Sequence, residues 1–151
     1  MAVAIAGSVV AVALPVFIAN LHASRLTEPM VGLQQLAGRA SALAAGRPPE
    51  FAYPPSAPQT PAKVPRGERV QDQPGTWDHP TWRELSFAQD LPHRFTFEFV
   101  SENGAEQASF RAVAHGDLDG DGNLSTFEVS GQSLAGQPPL VFALEMHREV
   151  E

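Results

Sequence analysis

Residues 117–128 read DLDGDGNLSTFE, in which three aspartates alternate with other residues. The stretch satisfies D-x-D-x-D-G-x5-E, the spacing of a calcium-binding loop. In that reading Asp117, Asp119 and Asp121 each offer a carboxylate and Asn123 offers a backbone carbonyl. Ser125 acts through a water, and Glu128 closes the loop with a bidentate carboxylate. Gly122 stands where such a loop turns sharply. Calcium prefers oxygen-rich ligand sets, and acids this close repel one another without a cation. The flanks do not suit an EF-hand, which needs a helix on each side. ASFRAVAH before the loop alternates like a strand, and Gly131 and Gly136 break any helix after Glu128. An acidic turn between strands, in which Asp and Gly supply special backbone angles, fits best. The same turn stapled by calcium is the second reading, and a helix-flanked EF-hand the third.

Other chemistry is harder to assemble. There is no cysteine, so disulfides, thiolate metal sites and cysteine nucleophiles are excluded. The histidines at 22, 79, 93, 115 and 147 show no metal-ligand spacing. His115 adjoins the acidic loop and reads as a surface residue. GQSLAG (131–136) misses the G-x-S-x-G nucleophile spacing by one position. No glycine-rich phosphate loop comes after a strand. Trp77 and Trp82 read as core anchors. These features predict neither a catalytic centre nor a resident cofactor beyond calcium.

The elements that must carry the loop fall into four stretches. Residues 1–24 contain no Asp, Glu, Lys or Arg and are apolar over about the ~20 residues a bilayer crossing needs. A membrane-inserted helix is the favoured reading there, ahead of a cleaved signal or a buried helix. In residues 25–46, Leu26, Met30, Leu33, Leu36 or Ala37, Ala40, and Leu43 or Ala44 recur every three or four positions. This is one apolar stripe on an amphipathic helix. Residues 47–81 hold a proline-rich loop, draped by the anchors Phe51, Tyr53 and Trp77. Residues 82–151 read as antiparallel sheet, with Phe95, Phe97 and Phe99 on one face of HRFTFEFV. Asn103-Gly104 marks a hairpin, and ASFRAVAH, STFEV and PLVFALEMH supply further strands. The predicted fold is α+β: a long N-terminal helix packed on a roughly four-stranded antiparallel sheet. The net charge of −7 argues against nucleic acid as a partner.

AIAGSVVAVALPVFI, an apolar helix with a proline eight residues after its glycine, resembles the helix of type IV pilins and pseudopilins. TPAKVPRGERV, TWRELSFAQDLPHRFTFEF and AHGDLDGDGNLSTFEVSG are similar, in that order, to a pilin subgroup with a GDLDGDG..STF turn in its sheet. The resemblance begins inside the helix, whereas the family's precursors carry a basic leader, a cleavage glycine and a glutamate ahead of it. It implies a ladle-shaped filament subunit whose partners are other pilin subunits, packing helix on helix. It also implies the inner membrane as its single-pass location before assembly, and pilus or secretion assembly machinery. Its final place would be an extracellular or periplasmic filament of a bacterium. The alternative expectation is a membrane-anchored surface protein that binds calcium through residues 117–128.

Overall fold

The structure is a computed structural model and describes residues 25–148. Helix α1 covers residues 25–45. Its buried side chains are Pro29, Leu33, Leu36, Ala37, Ala40 and Ala44, spaced three or four apart as one helical stripe. The chain then makes a 3-10 turn at Pro49–Phe51 and enters strand β1 (Ala57–Thr60). A one-and-a-half-turn helix, α2 (Pro80–Glu84), begins on His79, whose side chain accepts from the Thr81 N–H. Pro80 suits that first helical position because its missing N–H would have had no partner there.

Three long strands and three short ones make one antiparallel sheet. They are β1, β2 (Phe95–Asn103), β3 (Gln107–Gly116), β4 (Ser125–Leu134), β5 (Leu140–Val141) and β6 (Glu145–Arg148). Their order is β1-β2-β3-β4-β5, and β6 pairs with β4 beside β5. The β2–β3 register runs from Phe95↔Gly116 to Asn103↔Ala108, and β3–β4 from Gln107↔Leu134 to Gly116↔Ser125. β1 lies at the sheet edge, where a strand containing Pro58 leaves no ladder bond unmade.

α1 lies on the face that carries Phe95, Phe97, Phe99, Phe110, Ala112, Ala114, Phe127 and Val129, all buried. It approaches the sheet tightly at Gly32, where an added Cβ would stand 2.5 Å from Phe97 Cζ. Only glycine lets the helix backbone sit on that ring. At the edge of the core, Trp77 and Phe87 pack on Phe97 and Trp82 packs on both of them, with rings set edge-to-face or tilted. Trp82 is fully buried, and its indole N–H donates to Thr60 Oγ1 at 2.9 Å.

Several expectations are corrected here. The sheet has six strands rather than about four, because the proline-rich stretch supplies β1 at the edge and the last stretch divides into β5 and β6. The helix described is the 25–45 segment, not one long helix from residue 1. No helix among the described residues is long and apolar enough to cross a membrane. α1 alternates a buried stripe with exposed charged and polar positions, so it lacks an apolar surface all round. That corrects the expected membrane-spanning helix and the single-pass inner-membrane location. Residues 1–24, on which the expected span falls, lie outside the described residues. Phe51, expected as an anchor, is 65% exposed.

Candidate metal centre

The acidic turn joins β3 to β4. Strand pairing ends at Gly116↔Ser125, so residues 117–124 must reverse the chain at one end of the sheet. Gly120 and Gly122 take positive φ of 79° and 93°, backbone angles that a side chain would strain. Both Asp117 oxygens face inward: Oδ1 accepts the Gly120 N–H at 2.9 Å, and Oδ2 accepts the Gly122 N–H at 3.1 Å. Asp119 Oδ1 accepts from Asp121 N at 3.1 Å. Asp121 Oδ1 accepts from Asn123 N at 2.7 Å. Each aspartate thus caps an amide two to five residues on, the local bonding that aspartate favours in turns.

This winding brings three carboxylates together. One ligand oxygen from each of Asp117, Asp119 and Asp121 lies within 4.8 Å of the others, so the triad could hold a metal ion. Asp117 is buried, while Asp119 and Asp121 are exposed. The turn is also braced from a second segment. Arg66 Nε lies 3.7 Å from Asp117 Oδ2, and the Gly67 N–H donates to Asp117 O at 2.7 Å. Asp121 titrates below the ordinary carboxylate value, first because the Asn123 backbone N–H binds its charged form and then through the Asn123 side chain.

Of the remaining residues of the twelve-residue pattern, Asn123 stays beside the triad, whereas Ser125 and Glu128 belong to β4. Asn123 donates through Nδ2 to Asp121 Oδ2 at 2.7 Å. Ser125 is fully buried at the start of β4. Glu128 is three residues into that strand, where its carboxylate faces Arg111 at 3.4 Å and His147 at 3.7 Å. Strand alternation carries it away from the triad: Ser125, Phe127 and Val129 turn inward, and Glu128 turns outward. His115 places Nδ1 3.0 Å from Thr126 Oγ1. Burial, the largest influence, pulls His115 below the usual histidine value; Arg111 adds to this and Glu98 opposes it.

One constellation has no signature in the sequence. His93 is 1% exposed, with Nδ1 2.8 Å from Phe95 O and Nε2 2.8 Å from Asp72 Oδ2. The same Asp72 oxygen accepts the Trp77 indole N–H at 2.7 Å. A carbonyl oxygen and a carboxylate oxygen thus flank the two ring nitrogens and hold the ring in one orientation. Asp72 and His93 are 21 residues apart, too far for any local spacing rule to join them. With both nitrogens engaged, the pair closes the 70–78 segment onto β2 and leaves neither nitrogen for a substrate.

Compared with family models, with curated proteins and with solved structures, the chain finds no match. The expected membrane-spanning character is corrected, because no helix among the described residues is long and apolar enough to cross a membrane. No family match supports the expected keywords pilin and fimbrium.

Proposed function

We propose that the protein is a structural subunit of a filament of the type IV pilus or pseudopilus kind. The observation that carries the reading is α1, whose single apolar stripe lies across one face of an antiparallel sheet. It comes after 24 residues of sequence without a charge. The stretches that resemble a pilin subgroup occur in the same order along the chain. A polymer subunit needs rigid surfaces and no reaction centre, and the buried His93–Asp72 pair is used in packing. The partners in this reading are other copies or other pilin-type subunits, with assembly machinery of that kind. Immunogold electron microscopy with antibody against the sheet tests it. Label is expected along filaments sheared from the source cells, and filaments that stay unlabelled refute it.

A second reading is favoured by the convergence of Asp117, Asp119 and Asp121. Here the turn takes calcium and the protein is a calcium-binding surface protein. Calcium at about 100 times its dissociation constant would stabilise the fold by about 2.7 kcal/mol. Titration calorimetry and thermal unfolding check this, with Asp117→Asn as the variant that loses the effect. No heat and no shift at millimolar calcium would refute it.

A further inference from the structure

The two ends of the fold carry complementary features that neither the core nor the acidic turn uses. At the end where α1 begins, Glu28 Oε1 accepts the backbone N–H groups of Arg94 and Phe95 at 2.7 and 3.0 Å. That places Arg25, one helical turn earlier, beside Arg94. The antiparallel bridge Val70↔His93 brings Arg69 to the same place. Three guanidiniums thus converge, and none forms a salt bridge among the described residues. Arg94 Nε is buried and makes no hydrogen bond. Burial, and then the nearby Arg69 and Arg25, pull the Arg94 guanidinium below its ordinary value, and Glu28 opposes them. Next to this cluster opens a groove of about 640 Å³ whose lining includes Val31, Gly32, Leu91 and Arg69, with the carboxylates Glu28, already bonded to the 94–95 amides, and Asp90 also on its wall. Leu91 is 76% exposed and Val31 55%.

The opposite end is acidic with an apolar centre. β2 finishes at Asn103, whose side chain bonds the backbone N and O of Tyr53 at 3.2 and 2.7 Å. The Pro49–Phe51 turn is therefore held at this end. Phe51 projects from it, with exposed Glu50 adjoining and exposed Glu102 and Glu106 on the β2–β3 hairpin.

We propose that these ends meet between copies of this chain. Phe51 of one copy seats in the Val31–Leu91 groove of the next, and Glu50, Glu102 and Glu106 face its Arg25, Arg69 and Arg94. An aromatic anchor in a pocket, rimmed by opposite charge, is the usual composition of an interface hot spot. A contact between two different patches is heterologous and repeats from copy to copy without a two-fold axis. Asp119 and Asp121 lie at the same end as the arginines, on the β3–β4 side. They repel the incoming acids and steer them toward α1, which sets the rotation between copies. This contact rests on the filament reading and names a partner surface for it.

The chain has no cysteine, so single cysteines report the contact directly. Ala88→Cys lies on the groove rim, and Ala105→Cys lies between Glu102 and Glu106. The two full-length variants are mixed with a short bismaleimide at low salt. The mixed product is expected to exceed either like-with-like product. Adding Arg69→Glu to the first variant, or Phe51→Ala to the second, is expected to lower its yield by about tenfold, as for a hot-spot residue. Glu102→Arg in the second variant is expected to restore the yield lost to Arg69→Glu. Circular dichroism confirms that each variant is folded. Random products, or products indifferent to Arg69→Glu and Phe51→Ala, overturn the contact. Filaments without the mixed product overturn the contact and leave the filament reading standing. The mixed product without filaments does the reverse, and the absence of both overturns both.

Discussion

At the scale of single residues, burial decides what a polar group costs. Tyr53 OH is buried without a hydrogen-bond partner, and burial pushes its ionisation up to about 12. Tyr53→Phe removes the orphaned hydroxyl and keeps the edge contact with Phe110, 5.0 Å between ring centres. It is expected to leave stability unchanged or raise it by up to about 1 kcal/mol, read by thermal unfolding. His115 gives the opposite kind of prediction. Its folded value is lowered by burial, so the neutral ring is the form the fold favours. Stability from this site is complete above the unfolded histidine value, about 6.5, and is lost as pH falls through the lower folded value. Urea unfolding at pH 8 and at pH 5 should show that loss, and His115→Gln should reduce the difference. Sequence spacing found Asp117, Asp119 and Asp121 because a short turn leaves three alternate side chains few places to go. It could not place Glu128, whose direction depends on where β4 begins. Nor could it find Phe51's exposure, since an aromatic in a proline-rich stretch reads the same whether it anchors the loop or projects from it.

At the scale of elements, the alternation of Phe95, Phe97 and Phe99 is legible because a strand repeats every two residues. The stripe of α1 is legible for the same kind of reason at a period of 3.6. Segments without a period are not. β1 and α2 lie in the proline-rich part, and what holds them is tertiary: Trp82 Nε1 to Thr60, and Thr81 Oγ1 to Pro55 O at 2.6 Å. The 70–78 segment is likewise held by Asp72, which receives both His93 and Trp77. Asp72→Ala would leave the buried His93 ring and the Trp77 indole N–H without the carboxylate they share. Breaking a buried pair from one side costs about 3–5 kcal/mol. The expected outcome is a loss of about 3 kcal/mol in chemical unfolding, with a change in Trp77 fluorescence. An unchanged emission spectrum with full stability would show that the clamp contributes nothing.

At the scale of the whole molecule, one layer contact sets how helix and sheet sit together. Gly32→Ala places a Cβ at 2.5 Å from Phe97 Cζ and 2.6 Å from Cε1, in the centre of the core. The helix gains roughly 1 kcal/mol in propensity, but overpacking costs about 1–3 kcal/mol. A net fall of several degrees in the unfolding midpoint is expected, and a rise would mean that α1 can lift off the sheet without penalty. The same contact has a mechanical side. Tension drawn along α1 would tend to slide it past β2 by one turn. One turn away the positions facing the ring are Glu28 and Leu36, and neither admits Phe97 as Gly32 does. Glu28 is also tied to the first two amides of the 94–95 segment. The helix therefore behaves as a ratchet with a single seat: it resists shear as a block, and under excess load it detaches in one step instead of creeping.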